Sequence, residues 1–287
     1  MTALQGWRAG GEPFAWRGHE IFARVDGTGA PLLLIHGFPT ASYDWAPIVP
    51  ALVGAGFQTI TLDLIGFGFS AKPKSFDYSV MAYADLCAAF VAHRGISRLK
   101  VLAHDLGDTV AQELLARQRG GALPFTIERL CLLNGGLFPE THRARPVQKL
   151  LASRLGPLLA KRTTEARFAA SMQRICAREL AADETHAMWK LVTEHDGLAI
   201  MPALIRYMEE RRVNRARWVG AIVDPQIPVR VIDGTDDPVS GAHMIARYRE
   251  LVRDPDIVEL DGVGHYPQVE APARVSAPAI AFLTGAS

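Results

Sequence analysis

The chain has little of what marks secreted, membrane-bound or nucleic-acid-binding proteins. It has three cysteines in 287 residues, and Cys87, Cys131 and Cys176 lie far apart with no C-x-x-C pair. We therefore expect reduced packing cysteines and a cytoplasmic location. The formal net charge of +1 gives no electrostatic footprint for nucleic acid or for an anionic membrane surface.

Long apolar runs are missing too. No run reaches the roughly 18–20 residues that cross a bilayer, and residues 1–8 lack the apolar core of a signal peptide. No group of His, Cys and carboxylate residues has the spacing of a metal site. The sequence thus predicts a protein that needs no metal or other cofactor and binds neither membrane nor nucleic acid.

What the chain does have is a regular alternation of strand and helix signals. Strands are predicted at residues 21–25, 31–35, 57–62, 99–103, 127–133, 229–232 and 257–260. Helices are predicted at residues 43–55, 80–93, 106–119 and 272–283. This alternation is typical of an α/β fold, in which a mainly parallel sheet carries helices on both faces.

The strand signal stops in the middle of the chain. Residues 138–223 are helical in composition, and the sheet pattern resumes after them. We therefore expect residues 1–137 and 224–287 to form one core, with residues 138–223 inserted as a helical cap. A separate helical domain is the alternative.

One strand-to-helix junction carries the clearest functional signal. In the segment Leu99–Asp108, the small residues Ala103 and Gly107 lie two positions before and after Asp105. Small residues there fit the sharp turn of a nucleophile elbow, whose usual occupant is Ser. A carboxylate nucleophile attacks an electrophilic sp3 carbon rather than an ordinary ester, which points to epoxides or carbon–halogen bonds. The alternative role for Asp105 is a helix N-cap.

Three further motifs follow predicted strands. They are His36-Gly37-Phe38-Pro39, Gly234-Thr235-Asp236-Asp237-Pro238 and Gly264-His265-Tyr266-Pro267. The first of these motifs precedes the elbow. The elbow and the other two motifs then occur in the chain order nucleophile, acid, histidine. The backbone N–H groups of Phe38 and Leu106 are expected to form an oxyanion hole beside the elbow.

These motifs resemble the α/β-hydrolase superfamily, in particular its epoxide hydrolase and haloalkane dehalogenase branch with an aspartate nucleophile. The chain is also similar to the vertebrate mesoderm-specific transcript family. That second similarity is carried by His104-Asp105, Gly107-Asp108, Val110–Leu115, Asn134–Gly136, Phe138–Arg143 and Arg217–Ala221. The resemblance implies an α/β-hydrolase fold with an inserted cap, and we transfer no activity from the vertebrate proteins.

The resemblance also implies a role for each member of a triad. Asp105 would attack carbon and become an ester, His265 would activate water, and Asp237 would orient the imidazole. The family spacing Gly-x-x-Asp-Pro favours Asp237 over Asp236. Asp108 is expected near the start of the following helix, where a like charge could perturb the pKa of Asp105.

The two enzymes of this branch differ in the leaving group that they must stabilise. An epoxide oxygen needs a proton donor, usually a cap tyrosine in the family, and Tyr207 is the candidate here. His142, His186, His195 or a water are substitutes, although each histidine fits a surface position better. Dehalogenases typically place Trp after the nucleophile and often Asn after His-Gly, where this chain has Leu106 and Phe38.

The sequence therefore favours a hydrolase that opens small apolar epoxides with water. A haloalkane dehalogenase and a catalytically silent binding protein remain the alternatives, and a homodimer is left open. The predicted substrate pocket consists of His36, His104, Phe138, Trp189 and Met208. The basic run Arg206, Arg211, Arg212, Arg215 and Arg217 is interpreted as a solvated helix face.

Overall fold

The computed structural model describes residues 2–143, 145–151, 153 and 156–285. Within these residues, eight strands form one sheet in the order β1-β2-β4-β3-β5-β6-β7-β8. The strands are β1 (Glu12–Trp16), β2 (His19–Asp26), β3 (Ala30–Ile35), β4 (Phe57–Leu62), β5 (Arg98–His104), β6 (Thr126–Leu133), β7 (Val229–Gly234) and β8 (Asp256–Leu260). From β4 to β8 across the sheet every pairing is parallel, whereas β1 and β2 form an antiparallel edge. The predicted α/β class is correct.

Helices cover both faces of the sheet and fill the interval between β6 and β7. They are α1 (Ala3–Ala9), α2 (Val49–Gly54), α3 (Val80–His93), α4 (Leu106–Arg119), α5 (Pro146–Leu151), α6 (Gly156–Lys161), α7 (Glu165–Gln173), α8 (Ala182–Thr193), α9 (Met201–Leu204), α10 (Tyr207–Val213), α11 (Arg215–Val223), α12 (Ala242–Leu251), α13 (Pro267–Glu270) and α14 (Pro272–Thr284). Helices α5 to α11 fall in the segment predicted to be a cap. Strands β6 and β7 are neighbours in the sheet, so this helical segment enters and leaves at one point of the core.

The central strands are apolar on both faces because both faces are covered. Successive side chains of a strand point to opposite sides. In β3, Leu33 and Ile35 belong to the core layer that also holds α3 and α4, whereas Leu32 and Leu34 belong to the layer that also holds α2 and α14. This explains why the strand is an unbroken apolar run rather than an alternating one.

Three elements near the N-terminus differ from the sequence prediction. Helix α1 and strand β1 were not predicted, and β1 pairs with β2 through the two-residue turn Arg17-Gly18. Both turn residues have positive φ, the conformation that a tight hairpin needs. The helix predicted at 43–55 is broken into a 3-10 turn at Ser42–Trp45 and α2, because Pro47 has no N–H to continue the first helix.

The parallel strands direct the sequence motifs to one edge of the sheet. The segments that follow the carboxyl ends of β3, β5 and β7 begin with His36, Asp105 and Thr235, and His265 follows β8. Carboxyl ends of adjacent parallel strands meet at one edge, where open α/β sheets bind their ligands. Among the described helices, none is long and apolar enough to cross a membrane.

Buried polar contacts join the cap to this edge of the core. Glu113 of α4 is 1% exposed and accepts hydrogen bonds from Trp218 Nε1 at 2.8 Å and from Arg217 Nε at 2.6 Å, both on α11. Lys72 donates to the carbonyl oxygens of Leu191 and Glu194, at 2.8 and 2.7 Å, at the end of α8. The middle and the C-terminal end of the cap are thus held by core side chains.

We expect Glu113→Ala to lower the free energy of unfolding by about 1–3 kcal/mol, because it leaves the buried Trp218 N–H without an acceptor. The measurement is denaturant-induced unfolding at neutral pH. The matched control is Glu209→Ala, which removes an exposed carboxylate paired with Arg212 and should change stability by no more than about 0.5 kcal/mol. Equal losses in the two variants would contradict the anchoring role of Glu113.

Candidate active site

Asp105 lies on a strained turn between β5 and α4. Its φ is +49° and its ψ is −107°, a conformation that side chains rarely adopt. A Cβ atom on Gly107 would lie 2.2 Å from the carbonyl oxygen of Ile35, and one on Gly37 would lie 2.8 Å from the Asp105 Cβ. The turn therefore requires glycine at both positions, since two backbone segments approach closely there.

The Asp105 carboxylate is 3% exposed and has two distinct oxygen environments. Oδ2 accepts a hydrogen bond from the Phe38 backbone N–H at 3.0 Å, while Oδ1 lies 3.6 Å from Arg211 Nη2. Burial alone would raise the pKa of Asp105, but the charges of His265 and Arg211 and the Phe38 N–H lower it below its ordinary value. Asp105 is therefore ionised at neutral pH.

His265 and Asp237 form a buried pair beside Asp105. The distance from His265 Nδ1 to Asp237 Oδ2 is 2.8 Å. Burial works against a charged imidazole, yet Asp237, and then Asp105, outweigh it and raise the pKa of His265 to about 9. The neighbouring Asp236 is exposed, so the structure brings Asp237 rather than Asp236 to the histidine.

Asp237 is held by groups to which the sequence analysis gave no role at the site. Asn134 Nδ2 donates to Asp237 Oδ2 at 3.1 Å, and the Ser240 hydroxyl donates to the same oxygen at 2.9 Å. The Val239 N–H donates to Oδ1 at 2.7 Å. The signal for Asn134 was its place directly after a buried strand, where it adopts a positive φ of 42°.

Tyr207 reaches the elbow from the first turn of α10. Its side chain is fully buried, and its ring centroid lies 5.8 Å from that of Phe38. Its hydroxyl has no hydrogen-bond partner within the described residues. Burial, followed by the charge of Asp105, raises the pKa of Tyr207, so its hydroxyl stays protonated and able to donate.

The basic run is not a uniform solvated face, which corrects the sequence interpretation. Arg211 is 2% exposed, and its Nε donates to the Thr109 hydroxyl at 2.7 Å. Its Nη2 donates to the Asp105 backbone carbonyl at 3.1 Å, and its guanidinium lies 4.7 Å from the centroid of the Tyr207 ring. Arg206, Arg212 and Arg217 are exposed. Counting charges along the chain could not reveal which arginine the cap turns inward.

His142 is a second correction among the cap residues. It is largely buried beside Arg211, with no hydrogen-bond partner for either ring nitrogen in the described chain. Burial, and then the charge of Arg211, lowers the pKa of His142 to about 4. His186 and His195 do lie on the surface, and His186 pairs there with Glu165.

Burial and the repulsion between the two neighbouring carboxyl groups raise the pKa of Asp108 rather than that of Asp105. Asp108 lies in the first turn of α4 and is fully buried. Burial, and then the charge of Asp105, raises the pKa of Asp108 well above its ordinary value. It is therefore protonated, and the negative charge at the elbow belongs to Asp105.

A cavity of about 260 Å³ lies under the cap and reaches the elbow at Phe38 and His265. Its remaining walls are mostly apolar cap residues, among them Leu159, Phe168, Met172, Val192, Leu198 and Met201. Asp105, at 3% exposed, is not among the described walls of this cavity. The volume and the apolar walls suit a small apolar molecule.

The five residues predicted to line a pocket are not among the described walls of this cavity. His36 accepts the Leu64 N–H at 3.0 Å through Nε2, and His104 Nε2 bonds to the carbonyl of His265 at 2.7 Å. Both rings therefore brace backbone segments around the elbow. The other three are packing residues: Phe138 against Tyr248, Trp189 against Phe168, and Met208 against the main core. Proximity in sequence to the elbow or cap did not indicate which way these side chains point.

This fold and this arrangement define a hydrolase of the α/β class. A family model for the alpha/beta hydrolase fold matches residues 30–272, and the chain belongs to that family. It is 39% identical over 284 residues to the putative hydrolase LipZ of Mycobacterium tuberculosis (strain ATCC 25618 / H37Rv), covering 98% of each chain. It is 38% identical over 285 residues to the mesoderm-specific transcript homolog protein of Homo sapiens, covering 94% of this chain and 84% of that protein.

Solved structures with the same fold include both enzymes of the branch suggested by the sequence. The epoxide hydrolase CorEH has a TM-score of 0.77 at 20% identity, over 96% of this chain and 99% of that one. The haloalkane dehalogenase DatA from Agrobacterium tumefaciens C58 has a TM-score of 0.81 at 18% identity, over 96% and 97%. The predicted resemblance to the α/β hydrolases and to the mesoderm-specific transcript proteins is confirmed.

We expect the His265 imidazole to titrate with a pKa of about 9 in the free protein. Asp237→Asn should lower this pKa by about 1–3 pH units, because it removes the nearest negative charge. The measurement is an NMR titration of the imidazole signals. The control is Asp236→Asn, one residue earlier and exposed, which should leave the His265 titration unchanged; a shift as large as that of Asp237→Asn would contradict the pairing.

Proposed function

We propose that this protein hydrolyses small apolar epoxides to diols through a covalent ester on Asp105, with water as the second reactant. The observation that carries the proposal is a carboxylate at the elbow position, with Oδ2 held by the Phe38 N–H. Oδ1 is then the oxygen free to attack. A carboxylate in this place suits attack on an electrophilic carbon, followed by hydrolysis of the resulting ester.

In the first step, Asp105 Oδ1 forms a bond to one epoxide carbon. The carbon–oxygen bond of the ring breaks, and its electron pair moves onto the departing oxygen. That oxygen takes the proton of the Tyr207 hydroxyl. Both groups are buried, and the Asp105 charge is one of the causes that keep the Tyr207 hydroxyl protonated until the departing oxygen can take its proton.

In the second step, His265 takes a proton from water, and the hydroxide attacks Cγ of the ester. The Phe38 N–H, together with the Leu106 N–H, would stabilise the negative charge on Oδ2. The ester then collapses, and the departing alcohol oxygen takes its proton from His265. The proton of the new Asp105 carboxyl group returns to Tyr207, which completes the cycle.

The pKa of His265 suits this order of events. In the free protein it is raised to about 9, partly by the Asp105 charge, so the imidazole is protonated at neutral pH. Ester formation removes that charge, so the pKa of His265 falls and the imidazolium releases its proton to solvent; it takes a proton back from solvent when the free Asp105 carboxylate forms again. The imidazole thereby becomes able to accept a proton at the stage when a base is needed.

The residues around Asp105 favour an epoxide over a halide. A departing halide needs N–H donors, and the side chains of Phe38 and Leu106 supply none. A departing alkoxide needs a proton, which the unpartnered hydroxyl of Tyr207 can supply. The apolar walls of the cavity add a preference for uncharged, hydrophobic substrates.

We expect His265→Gln to form a stable ester when mixed with a panel of small epoxides, because alkylation proceeds and hydrolysis does not. Intact-mass measurement should show an increase equal to one substrate molecule, and peptide mapping should place it on Asp105. The double variant Asp105→Asn, His265→Gln is the control and should stay unmodified. An adduct on another residue, or none with any epoxide, would contradict the proposal.

We expect Tyr207→Phe to slow ester formation by about 10²–10⁴-fold, the usual contribution of a general acid. The ring and its packing against Phe38 are retained, so the melting temperature should hardly change. Hydrolysis of ester already formed should be nearly unaffected, since His265 performs that step. Single-turnover kinetics separate the two steps, and an unchanged rate of ester formation would make Tyr207 a packing residue.

A further inference from the structure

Several hydrogen-bond donors supplied by the cap surround the elbow without partners. The Tyr207 hydroxyl and Arg211 Nη1 make no hydrogen bond within the described residues, and neither does the single N–H of the neutral His142 ring. A buried donor left unpaired costs about 1–3 kcal/mol. A group of such donors at one place therefore indicates a site for the acceptor atom of a ligand.

Arg211 is the one cation of this group, and its position is set by three contacts. Nε and Nη2 are used by Thr109 and by the Asp105 backbone carbonyl, and the guanidinium stacks on the Tyr207 ring. These contacts leave Nη1 free. Tyr207 and Arg211 are four residues apart on α10, so both point from the same helix face toward the elbow.

In the proposed first step, negative charge moves from the Asp105 carboxylate, beside the Arg211 guanidinium, to the departing oxygen. Before attack, the negative charge is on Asp105 Oδ1, 3.6 Å from Arg211 Nη2. After attack, the ester is neutral and the charge is on the departing oxygen, beside the attacked carbon. A cation next to both oxygens would stabilise the charge along the whole path, and Arg211 and Asp105 are buried, which makes such an interaction stronger than in water.

We propose that Arg211 is the second donor to the departing epoxide oxygen, where it stabilises the alkoxide that Tyr207 protonates. This inference rests on the proposed function. Arg211 keeps its proton throughout, since a guanidinium does not deprotonate in proteins. The electron pair of the broken ring bond stays on the substrate oxygen, Nη1 donates a hydrogen bond to it, and Tyr207 supplies the proton.

The test compares two leaving groups in the same nucleophile background. In His265→Gln protein, ester formation is followed by intact mass with a small epoxide and with an alkyl bromide of matched length. Arg211→Met should slow reaction with the epoxide by about 10²–10³-fold, the loss typical of one oxyanion donor. Reaction with the bromide should slow less, because bromide is a far weaker base than an alkoxide and leaves without taking a proton.

The other outcomes overturn the proposal. Equal slowing of both substrates would mean that Arg211 only positions or ionises Asp105. Greater slowing of the bromide would make Nη1 part of a halide site, and no effect on either would remove Arg211 from the reaction. If the parent His265→Gln protein forms no ester with any epoxide, the proposed function itself fails, and this inference fails with it.

Two further variants guard against misfolding and non-specific effects. A Cβ atom on Gly136 would lie 2.5 Å from Arg211 Nη1, so Gly136→Ala should displace the guanidinium while keeping its charge in the site. It should slow the epoxide more than the bromide, and it decides the question if Arg211→Met does not fold. Arg212→Met, the exposed neighbour on α10, should leave both rates unchanged. Equal effects of Gly136→Ala on both substrates would overturn the proposal.

Discussion

The close approach of β3 and α4 at the elbow is the constraint on which the rest of the site depends. Gly107 allows the first turn of α4 to lie against the carbonyl oxygen of Ile35, and Gly37 allows the next loop to lie against Asp105. This contact holds Asp105 in its unusual backbone conformation and brings the Phe38 N–H to its carboxylate. Without this contact, the end of β3 and the start of α4 would move apart, and the Asp105 carboxylate would lose the Phe38 N–H as its donor.

Burial at this edge of the sheet forces each acidic group into one of two states. Asp105 and Asp237 have cationic or hydrogen-bonding partners that keep them ionised. At Asp108 and Asp233, burial and the neighbouring negative charges outweigh any stabilising contact and raise the pKa of each group well above its ordinary value. The site thus holds two carboxylates and two neutral acids within a small volume, which limits repulsion between like charges.

The cap supplies to this site what the core lacks. The core provides the carboxylate, the histidine and backbone N–H groups, whereas α10 brings a hydroxyl and a guanidinium to the same place. Glu113 and Lys72 hold the cap where those groups can reach the elbow. Anchoring of the cap and chemistry at Asp105 are therefore linked through helices α10 and α11.

The sequence by itself determined the fold class and the order of the core strands along the chain, through its apolar runs. Small residues at a sharp turn indicated Asp105. Motifs placed directly after strands, together with the resemblance to the α/β hydrolases, indicated Asp237 and His265, which lie at the same edge of the sheet. Only the tertiary structure decided that Arg211 and His142 face inward, that Asn134 supports Asp237, and that His36 and His104 brace backbone rather than line the cavity. The physical reason is that the direction of a side chain depends on how the cap is rotated against the core. That rotation is set by distant contacts such as Glu113 with Trp218, which no local pattern along the chain contains.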